Sequence, residues 1–437
     1  MNQINILGVN VSTESKRDIL NRISGFLSDN KPHYLVTPNP EFLLAAQKDE
    51  EFFFILNKAD IAIPDGVGLT FASFLMGKKI KRISGVDLMY DICALAEKES
   101  RSIFLLGGID DTAKQAAKKL KEKFPRLKIA GAESGLQMGE WKITDGRWIK
   151  GKEKNNALIK KINQAKPTII FVGFGHSQQE KWMYHALIFR EDSQTFDCLR
   201  DVPADGQALG RLQGVKLAMG VGGSLDFISG RIKRAPKFLR IIGLEWFWRL
   251  LQEPRKRLPR IYDAVIKFPL VFFKWYCVAP YFYRPNVACL LYKKANNGKI
   301  QVLLAERLDT PNHWQLPQGG TDKESLEEAG ARELREEVGT DKFKQIKAFK
   351  NLYRYEFGDT LGRADVKAKH IKGYRGQKQG LFIAEFTGED KDITINFWDH
   401  SDWKWVDLND VVSEVHEIRK EATKIFIDKF RLIISNK

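Results

Sequence analysis

A short acidic run in the second half of the chain has a spacing that suits metal-dependent phosphate chemistry. Glu324 is followed, after seven intervening residues, by Arg332-Glu333 and then by Glu336-Glu337. Ser325–Val338 is predicted to be a helix that ends at Gly339. The carboxylates of Glu333, Glu336 and Glu337 then share one helix face, where they repel each other unless a cation neutralises them. Mg²⁺ suits oxygen ligands of this kind and shares them with substrate phosphates, so we predict that these glutamates hold Mg²⁺, with Mn²⁺ as an alternative.

The alternative interpretation of the same glutamates is a solvated acidic helix face, because Glu is a good helix former. Arg332 stands next to Glu333, and a glycine-rich segment with Gly319-Gly320 comes directly before the predicted helix. Both features favour the metal site over the solvated face.

Polar and glycine-rich clusters end a series of strand-like segments in the first half of the chain. They are Thr37-Pro38-Asn39, Asp65-Gly66, Gly107-Gly108, Gly173-Phe174-Gly175 and Gly220-Val221-Gly222-Gly223. In open α/β sheets the ligand crevice lies at the carboxyl ends of the strands, so the clusters together predict a nucleotide-type site. The alternative for each single cluster is a tight turn, which needs glycine in any case.

The elements that must position these clusters alternate between strands and helices. The predicted strands are His33–Thr37, Asp60–Ile63, Ser102–Leu106, Thr168–Gly173 and Lys216–Gly220. The predicted helices are Glu41–Asn57, Val67–Met76, Asp87–Glu99, Thr112–Phe124 and Gln179–Arg190. This alternation predicts an α/β fold with a Rossmann-like parallel sheet covered on both faces. After Arg284-Pro285 the pattern changes, and strands are predicted at Val287–Tyr292 and Gln301–Ala305 around a polar turn.

Length and composition limit the class of protein. At 437 residues the chain has room for two or three domains, and its 43% hydrophobic and 29% charged residues are typical of globular proteins. Such a composition excludes a disordered tail protein, a collagen-like repeat and a polytopic membrane protein. The net charge of +16 indicates an anionic partner, which is a nucleic acid, an anionic lipid or a phosphorylated metabolite. Residues 231–274 hold twelve Lys or Arg and three acidic residues, a surplus of +9, so one segment carries most of the charge.

Four cysteines without a CxxC pair predict neither a zinc ribbon nor a disulfide framework, and they favour a reduced, cytosolic compartment. Met1–Val11 lacks the pattern of a signal peptide. The apolar stretch Phe268–Tyr283 is interrupted by Lys274 and two prolines, and it is too short to predict a transmembrane helix.

The acidic run resembles the Nudix box, G-x5-E-x7-R-E-U-x-E-E-x-G-U, and the resemblance covers about residues 283–437. There are two departures: the loop from Gly319 to Glu324 is one residue short, and Thr340 stands at an aliphatic position. Further segments resemble the RNA pyrophosphohydrolase and dinucleoside-polyphosphate hydrolase branch. They are Tyr283-Arg284-Pro285-Asn286-Val287, Trp314-Gln315-Leu316-Pro317-Gln318-Gly319-Gly320, Gly376-Gln377-Lys378-Gln379 and Trp403-Lys404-Trp405-Val406.

This resemblance implies an α/β/α Nudix domain that hydrolyses a phosphoanhydride with water activated at Mg²⁺. The substrate would be a nucleoside polyphosphate, a nucleotide sugar or an RNA 5′ pyrophosphate. One of the three metal-binding glutamates would act as base, and Arg307, Gln318 and Lys378 would bind substrate, the two cations by contacting phosphates. The alternative for these two cations is a solvated surface charge, and Trp314 is predicted to belong to the core.

The first half resembles the WecG/TagA/CpsF glycosyltransferase family over residues 4–257. The matching segments, beyond the clusters already named, are Arg82 with Gly85-Val86-Asp87-Leu88, Leu105-Leu106-Gly107-Gly108, Gln179-Glu180-Lys181-Trp182, Arg234-Ala235-Pro236, Gly243-Leu244-Glu245-Trp246 and Arg249-Leu250. Two regions depart from the family pattern: His176-Ser177, and the long stretch 190–214 with its run Asp197–Pro203.

The resemblance implies transfer of an N-acetylhexosamine, typically N-acetylmannosamine, from UDP to a polyprenyl-diphosphate-linked sugar, with inversion and without a required metal. Asp65 matches the general base, with an Asp-Gly turn as the alternative. Thr37, Asn39 and Gln179 would position sugar or uridine. The candidates for binding diphosphate or lipid are Arg82, Arg231, Arg234, Arg249 and Arg255.

The sequence therefore predicts a bifunctional protein of cell-envelope polysaccharide synthesis, with a transferase domain at 1–255, a basic and apolar linker at 256–283 and a Nudix domain at 284–437. The basic segment predicts peripheral attachment to the inner face of the cell membrane, with an ordinary packed helix as the alternative. Two other hypotheses stay open: the Nudix domain is a non-catalytic nucleotide sensor that regulates the transferase, or the basic segment binds nucleic acid. A homo-oligomer is also left open.

Overall fold

The computed structural model describes residues 3–135, 142–144, 147–175, 177–188, 211–236, 238–239, 245–295, 298–321, 323–357, 373–396 and 398–435. The described residues form two compact units, of which the first ends at Phe273 and the second begins at Lys274. His176, the run Asp197–Pro203 and the pair Gly243-Leu244, all singled out in the sequence, lie outside the described residues.

The first unit is built on a six-stranded sheet with the strand order β4-β3-β10-β9-β5-β6, and every neighbouring pair is parallel. Its strands are β3 (His33–Val36), β4 (Ile61–Ala62), β5 (Ser102–Gly107), β6 (Lys128–Glu133), β9 (Ile169–Gly173) and β10 (Leu217–Gly220). Two antiparallel pairs lie outside this sheet: β1 (Gln3–Ile6) with β2 (Val9–Ser12), and β7 (Lys142–Thr144) with β8 (Arg147–Lys150). The predicted parallel sheet is confirmed.

Helices cover this sheet on both faces. They are α1 (Lys16–Ser28), α2 (Pro40–Ala46), α3 (Glu50–Lys58), α4 (Val67–Leu75), α5 (Gly85–Lys98), α6 (Thr112–Lys123), α7 (Lys152–Ala165), α8 (Gln178–Leu187) and α9 (Ser224–Ser229). On one face Leu105, Phe171 and Met219 of the central strands pack with α1, α5, α6 and α9. On the other face Tyr34 donates a hydrogen bond to the Ile55 carbonyl oxygen of α3 at 2.6 Å.

The predicted helix Glu41–Asn57 is wrong as a single element, because the chain forms α2 and then starts again as α3. Asp49 interrupts the helical pattern because its backbone is extended. It is the N-cap of α3, and its side chain accepts a hydrogen bond from the Phe52 amide at 2.9 Å. The helix predicted at Gln179–Arg190 ends at Leu187 within the described residues. The β1–β2 pair, β6 and α7 are not anticipated by the sequence interpretation.

The basic tail of the first unit is helical. It contains α10 (Glu245–Gln252), α11 (Pro254–Ile261), a π-helical stretch Tyr262–Lys267 and α12 (Phe268–Phe273), where Phe268 and Phe272 are buried. The second unit begins with a π-helical stretch Lys274–Val278 and a 3₁₀ turn Ala279–Tyr281. The segment predicted as a linker thus has helical structure along most of its length. Across the described ranges, we find no helix with the length and apolar character needed to span a membrane.

The second unit is an α/β/α sandwich on a mixed sheet with the order β13-β12-β11-β16-β15, in which β14 also pairs with β11 and β17 with β12. The strands are β11 (Tyr283–Lys294), β12 (Ile300–Arg307), β13 (Trp314–Gln315), β14 (Gln318–Gly320), β15 (Phe343–Glu356), β16 (Gly376–Phe386) and β17 (His400–Asp407). The helices are α13 (Leu326–Glu337), α14 (Val411–Glu414) and α15 (Lys420–Ile434). Leu334 of α13 packs on one face of the sheet and Phe430 of α15 on the other, which confirms the predicted fold class.

Local sequence fixes both ends of α13. Ser325 is the N-cap, and it forms a capping box with Glu328 in which each side chain accepts from the other residue's backbone amide. Gly339 follows the helix with a φ of 69°, a conformation that favours glycine. The helix predicted over Ser325–Val338 is therefore confirmed, and the three glutamates lie in its last two turns.

Candidate active sites

The polar and glycine clusters of the first half lie side by side at the carboxyl edge of the parallel sheet. The Thr37 hydroxyl donates to the Gly220 carbonyl oxygen at 3.5 Å, which joins the ends of β3 and β10. The Gly108 amide donates to the Gly173 carbonyl oxygen at 3.3 Å, which joins the ends of β5 and β9. Residues that are far apart in the sequence therefore form one continuous edge.

Glycine is required at this edge by close approach as well as by turn geometry. Gly107 has a φ of 118°, and a Cβ atom there would overlap the backbone of Gly173. A Cβ atom on Gly220 would lie 2.8 Å from both the Gln179 amide nitrogen and the Glu180 carboxylate. A larger residue at Gly107 or Gly220 would therefore collide with neighbouring backbone or polar side chains.

Asp65 follows β4 and is held by two donors while remaining partly open to solvent. Its carboxylate accepts from Arg82 Nε and from the Gly85 amide, both at 3.5 Å. Its own amide donates to the Pro38 carbonyl oxygen at 3.0 Å, so its backbone is tied to the end of β3. The side chain is 31% exposed. A carboxylate that is oriented and still accessible has the geometry of a general base.

An ionic network extends from Asp65 into the basic tail. Arg82 also donates through Nη2 to Glu245 at 3.1 Å, and Glu245 of α10 is buried. Arg234 lies 3.7 Å from Glu245 and pairs with Asp87 of α5 through two hydrogen bonds of 2.7 and 2.9 Å. The tail thus contributes to the site an acid that counterbalances two of the predicted phosphate-binding arginines. Glu245 lies within one of the matching segments of the sequence, but no role was predicted for it because its partner Arg82 is 163 positions away.

Asn39 and Gln179 both have structural partners at the carboxyl edge. The Asn39 side chain caps α2 by accepting from the Phe42 amide at 3.0 Å. Gln179 is buried, accepts from the Gly222 amide at 3.1 Å and donates to Glu180 at 2.6 Å. These bonds fix the orientation of the two side chains that the sequence predicts to position the donor.

A buried ionic cluster anchors α8, the helix that carries Gln179. Lys181 Nζ lies 2.7 Å from Glu51 and 2.9 Å from Asp49, and His185 Nε2 lies 2.8 Å from Glu51. Because Glu51 belongs to α3, the cluster ties two helices together across the same face of the sheet. Removing one of these side chains would leave a buried charge without its partner, so the cluster fixes the position of α8 relative to α3.

Three further arginines were predicted to bind substrate. Arg231 lines a cavity of about 380 Å³, together with Ile109 after β5, Asp226, Ile232, Gln252 and Glu253. Arg255 is exposed on α11. The side chain of Arg249 lies outside the described part of the structure. Arg231 is therefore placed in a cavity next to the carboxyl edge.

In the second unit, Arg332 organises the acidic face of α13. Its Nη1 lies 2.8 Å from both Glu333 and Glu336, its Nε donates to Glu324 at 2.9 Å, and its Nη2 donates to the Gly320 carbonyl oxygen at 2.7 Å. Burial lowers the pKa of Arg332, but the surrounding carboxylates outweigh burial and raise it overall. One guanidinium thus binds three glutamates and the glycine-rich loop.

The three glutamates differ in burial. Glu333 and Glu337 are buried, whereas the Glu336 side chain is 46% exposed. A Cβ atom on Gly319 would overlap the Glu333 carboxylate, so glycine lets the loop backbone lie directly against it. Glu337 accepts from the Gln318 amide at 2.8 Å and lies 3.3 Å from His400 Nε2. His400 is a site residue that sequence reasoning missed, because its partner is 63 positions away on a different element.

Of the predicted substrate-binding residues of this unit, Gln318 lies next to the glycine-rich loop, whereas Arg307 and Lys378 lie on other strands. Gln318 accepts from Gln379 at 2.7 Å and donates to Gln315 at 3.4 Å, within a largely buried amide cluster next to the loop. Arg307 makes two hydrogen bonds to Asp309, at 2.9 and 2.7 Å. Lys378 is exposed on β16. Arg284 was not among the predicted binding residues, yet a Cβ atom on Gly320 would overlap its guanidinium.

The donor chemistry of α13 suits a hard cation. Within the described residues, no group of three His, Cys, Asp or Glu side chains is arranged to hold a metal ion as it stands. Glu333 and Glu336 nevertheless converge on the same nitrogen of Arg332. Carboxylates that already share one positive charge, beside a third on the same helix face, fit the oxygen donor set that Mg²⁺ prefers.

A parallel α/β unit with an oriented acid at its carboxyl edge, followed by a mixed-sheet unit with an acidic helix, defines a two-part enzyme that acts on phosphorylated substrates. The model of the glycosyl transferase WecG/TagA/CpsF family matches residues 4–191 and 206–279, and the NUDIX domain model matches residues 282–428. The chain belongs to the WecG/TagA/CpsF family of glycosyl transferases and carries a NUDIX hydrolase domain in its second part.

Curated relatives match each part separately. N-acetylglucosaminyldiphosphoundecaprenol N-acetyl-beta-D-mannosaminyltransferase of Bacillus subtilis is 28% identical over 241 residues, which are 53% of this chain and 79% of the relative. The protein of the same name from Staphylococcus aureus is 26% identical over 263 residues, 59% of this chain and 88% of the relative. RNA pyrophosphohydrolase of Wolbachia pipientis is 37% identical over 156 residues, 35% of this chain and 91% of the relative.

The buried carboxyl of Glu180 makes stability depend on pH. Burial raises its pKa from 4.5 to about 8, against the smaller opposing effect of the Gln179 hydrogen bond. The folded state therefore keeps a proton that the unfolded chain releases, and this stabilisation is complete below pH 4.5 and is lost as the pH rises through about 8. We expect Glu180→Gln to unfold ~2–4 °C higher than the wild type at about pH 9 and at nearly the same temperature near pH 4.5.

The measurement is thermal unfolding followed by circular dichroism across this pH range, with the exposed Glu153→Gln as the matched control. A difference between Glu180→Gln and the wild type that does not change with pH would show that Glu180 is ionised in the folded protein.

Proposed function

We propose that the first unit transfers N-acetylmannosamine from UDP to a polyprenyl-diphosphate-linked sugar, with inversion at the anomeric carbon. The observation that carries this proposal is Asp65, an oriented and accessible carboxylate at the carboxyl edge of the sheet, beside Arg82. The relatives from B. subtilis and S. aureus are named for transfer of N-acetyl-beta-D-mannosamine to N-acetylglucosaminyldiphosphoundecaprenol, which supports the transferred sugar and the acceptor class.

In this reaction Asp65 takes the proton from the acceptor hydroxyl as the oxygen attacks the anomeric carbon. The donors from Arg82 and the Gly85 amide aim its carboxylate, which is 31% exposed and so can be reached by the incoming hydroxyl. The bond to UDP breaks on the opposite side of the carbon, and negative charge develops on the departing diphosphate. Arg82, Arg234 and Arg231 are the cationic groups near the edge that would contact the departing diphosphate.

Thr37, Asn39 and Gln179 would fix the sugar and the uridine. Each is held at the carboxyl edge by a hydrogen bond to backbone, so none has to be ordered when the donor binds. Preorganised polar groups lower the entropic cost of binding and hold the reacting atoms in line.

For the second unit we propose hydrolysis of a phosphoanhydride, in a nucleoside polyphosphate, a nucleotide sugar or an RNA 5′ pyrophosphate. Glu333, Glu336 and Glu337 would hold Mg²⁺, which when bound supplies a polarised phosphate and an activated water. Arg332 orients Glu333 and Glu336, and the Gln318 amide and His400 orient Glu337. Arg284, Arg307 and Lys378 provide cationic groups for phosphate. The relative from W. pipientis supports the RNA substrate class.

We propose further that the protein works at the inner face of the cell membrane in cell-envelope polysaccharide synthesis, as the lipid-linked acceptor requires. The basic tail supports this location, since exposed Leu251, Leu258 and Tyr262 alternate there with cationic residues. The domain bounds given by the sequence, 1–255, 256–283 and 284–437, remain a prediction.

A second candidate for the NUDIX domain is a non-catalytic sensor that binds a nucleotide and regulates the transferase. Its support is that Arg332 already pairs with Glu333 and Glu336, so part of the negative charge of the acidic face is compensated without a metal ion.

Replacing Asp65 tests the transferase. We expect Asp65→Asn to slow UDP release by roughly 10²–10⁴-fold, because the amide cannot accept the proton while its shape is unchanged. The assay follows UDP release from UDP-N-acetylmannosamine with a lipid-diphosphate-N-acetylglucosamine acceptor. The matched control is Asp111→Asn, an exposed acid on the same unit. Equal rates for Asp65→Asn and the wild type would remove Asp65 from the mechanism.

Replacing Glu336 separates hydrolase from sensor. With Mg²⁺ and a panel of nucleoside polyphosphates, nucleotide sugars and 5′-triphosphate RNA, we expect Glu336→Gln to lower phosphate or nucleotide release by at least ~10²-fold, since it removes one carboxylate from the predicted metal-binding set. The exposed Glu417→Gln is the control. If the wild type binds a nucleotide of the panel but releases no product, and Glu336→Gln behaves identically, the sensor hypothesis replaces the hydrolase.

A further inference from the structure

Helix α4 begins directly after Gly66 and exposes an apolar face that the described residues of the first unit leave uncovered. Val67, Phe71, Phe74 and Leu75 occur at a spacing of four, three and one residues, which places them on one side of a helix. Phe74 is 72% exposed and Phe71 55% exposed. Large aromatic side chains in such a cluster cost solubility unless something covers them, so the face indicates an interaction surface.

The exposure of α4 does not come from poor packing of the helix. Its opposite side is fully buried, with Leu69, Ala72 and Ser73 at 0% exposure. Gly68 lies against Pro40 and the ring of Phe268, so α4 packs on α2 and α12. The helix contains no charged residue. A firmly packed helix whose outer face is entirely apolar is suited to insertion into an apolar medium.

A cationic loop follows the apolar face. Lys78, Lys79 and Lys81 are all exposed. The loop is held to the end of α4, because the Lys78 amide donates to the Ser73 carbonyl oxygen at 2.9 Å and the Ile80 amide to the Ser73 hydroxyl at 3.4 Å. Apolar side chains bordered by lysines match the chemistry of an anionic lipid surface, where the rings enter the acyl boundary and the ammonium groups meet headgroup phosphates.

The same segment starts and ends at the catalytic carboxylate. Gly66 follows Asp65 directly, and after α4 and the lysine loop the chain returns to Asp65 through Arg82 and the Gly85 amide. Residues 66–85 therefore form one excursion of the chain, which leaves the edge of the sheet next to Asp65 and returns to it. The outer part of this excursion exposes four apolar and three cationic side chains. α12, which packs against α4, adds exposed Leu270 and Phe273 to the apolar surface.

We propose that the excursion 66–85 is a membrane-binding element that inserts Phe71 and Phe74 into an anionic bilayer and thereby places Asp65 at the headgroup level. This proposal rests on the proposed transferase function, because a lipid-linked acceptor presents its diphosphate at that level. A basic tail alone brings the protein to a membrane, whereas insertion of α4 fixes the distance and orientation of the active site relative to the surface.

The binding experiment uses the full chain and vesicles of phosphatidylcholine with or without phosphatidylglycerol, in a flotation assay. We expect Phe71→Ser/Phe74→Ser to lower the bound fraction by roughly tenfold on anionic vesicles, because it removes two inserted rings. Lys78→Glu/Lys79→Glu should lower binding to anionic vesicles only. Leu432→Ser, which changes an equally exposed apolar residue of α15, should bind as the wild type does.

The activity experiment compares an acceptor embedded in vesicles with a water-soluble short-chain acceptor. We expect the ratio of the two rates to fall by about tenfold in Phe71→Ser/Phe74→Ser, since only the embedded acceptor needs the insertion. If the wild type uses neither acceptor, the transferase function fails, while flotation still tests the membrane element.

Two outcomes would overturn the proposal. One is equal flotation of Phe71→Ser/Phe74→Ser and the wild type with unfolding temperatures that agree. The other is a wild-type oligomer, measured by light scattering, that dissociates in this variant without loss of vesicle binding, which would assign the α4 face to a second copy of the chain.

Discussion

Parallel strand pairing is the constraint on which the first active site depends. Because β4, β3, β10, β9 and β5 run in the same direction, their carboxyl ends meet at one edge, and the residues that follow them meet there too. Thr37 and Gly220 are 183 positions apart and share a hydrogen bond only for this reason. The buried cluster of Glu51, Lys181 and His185 then sets the helix that follows β9, and with it Gln179. The packing of the strands and helices, rather than the loops themselves, thus determines where the residues at the carboxyl edge lie.

In the second unit, the main constraint is that several negative charges are held close together. Three carboxylates on the last two turns of α13 repel one another, and the structure compensates them with one guanidinium, one backbone amide and one imidazole. The glycine-rich loop contributes by having no side chain where Glu333 needs room. The helix itself is bounded by a capping box and a left-handed glycine, so the acids keep their register relative to the loop.

The sequence predicted the parallel sheet, the helix α13 and the order of the polar clusters, because each depends on a local pattern of apolar and turn-forming residues. It could not predict Glu245 or His400 as site residues, since their roles come from contacts with residues 163 and 63 positions away. The break between α2 and α3 was missed because a single N-cap, Asp49, interrupts an otherwise continuous helical pattern. The exposed face of α4 was not predicted either, because only the packing of the helix shows that Leu69 and Ala72 are buried while Phe71 and Phe74 are exposed.

The ion pair between Arg82 and buried Glu245 has a consequence for turnover. An anion that binds Arg82 must displace Glu245 or share the guanidinium with it. The net free energy of binding is therefore the difference between the new ion pair with the anion and the existing ion pair with Glu245. In the proposed transfer reaction, Glu245 would compete with the departing diphosphate for Arg82 and would pair with Arg82 again once the product has left. An internal competitor of this kind, supplied by the tail of the same unit, would limit product inhibition.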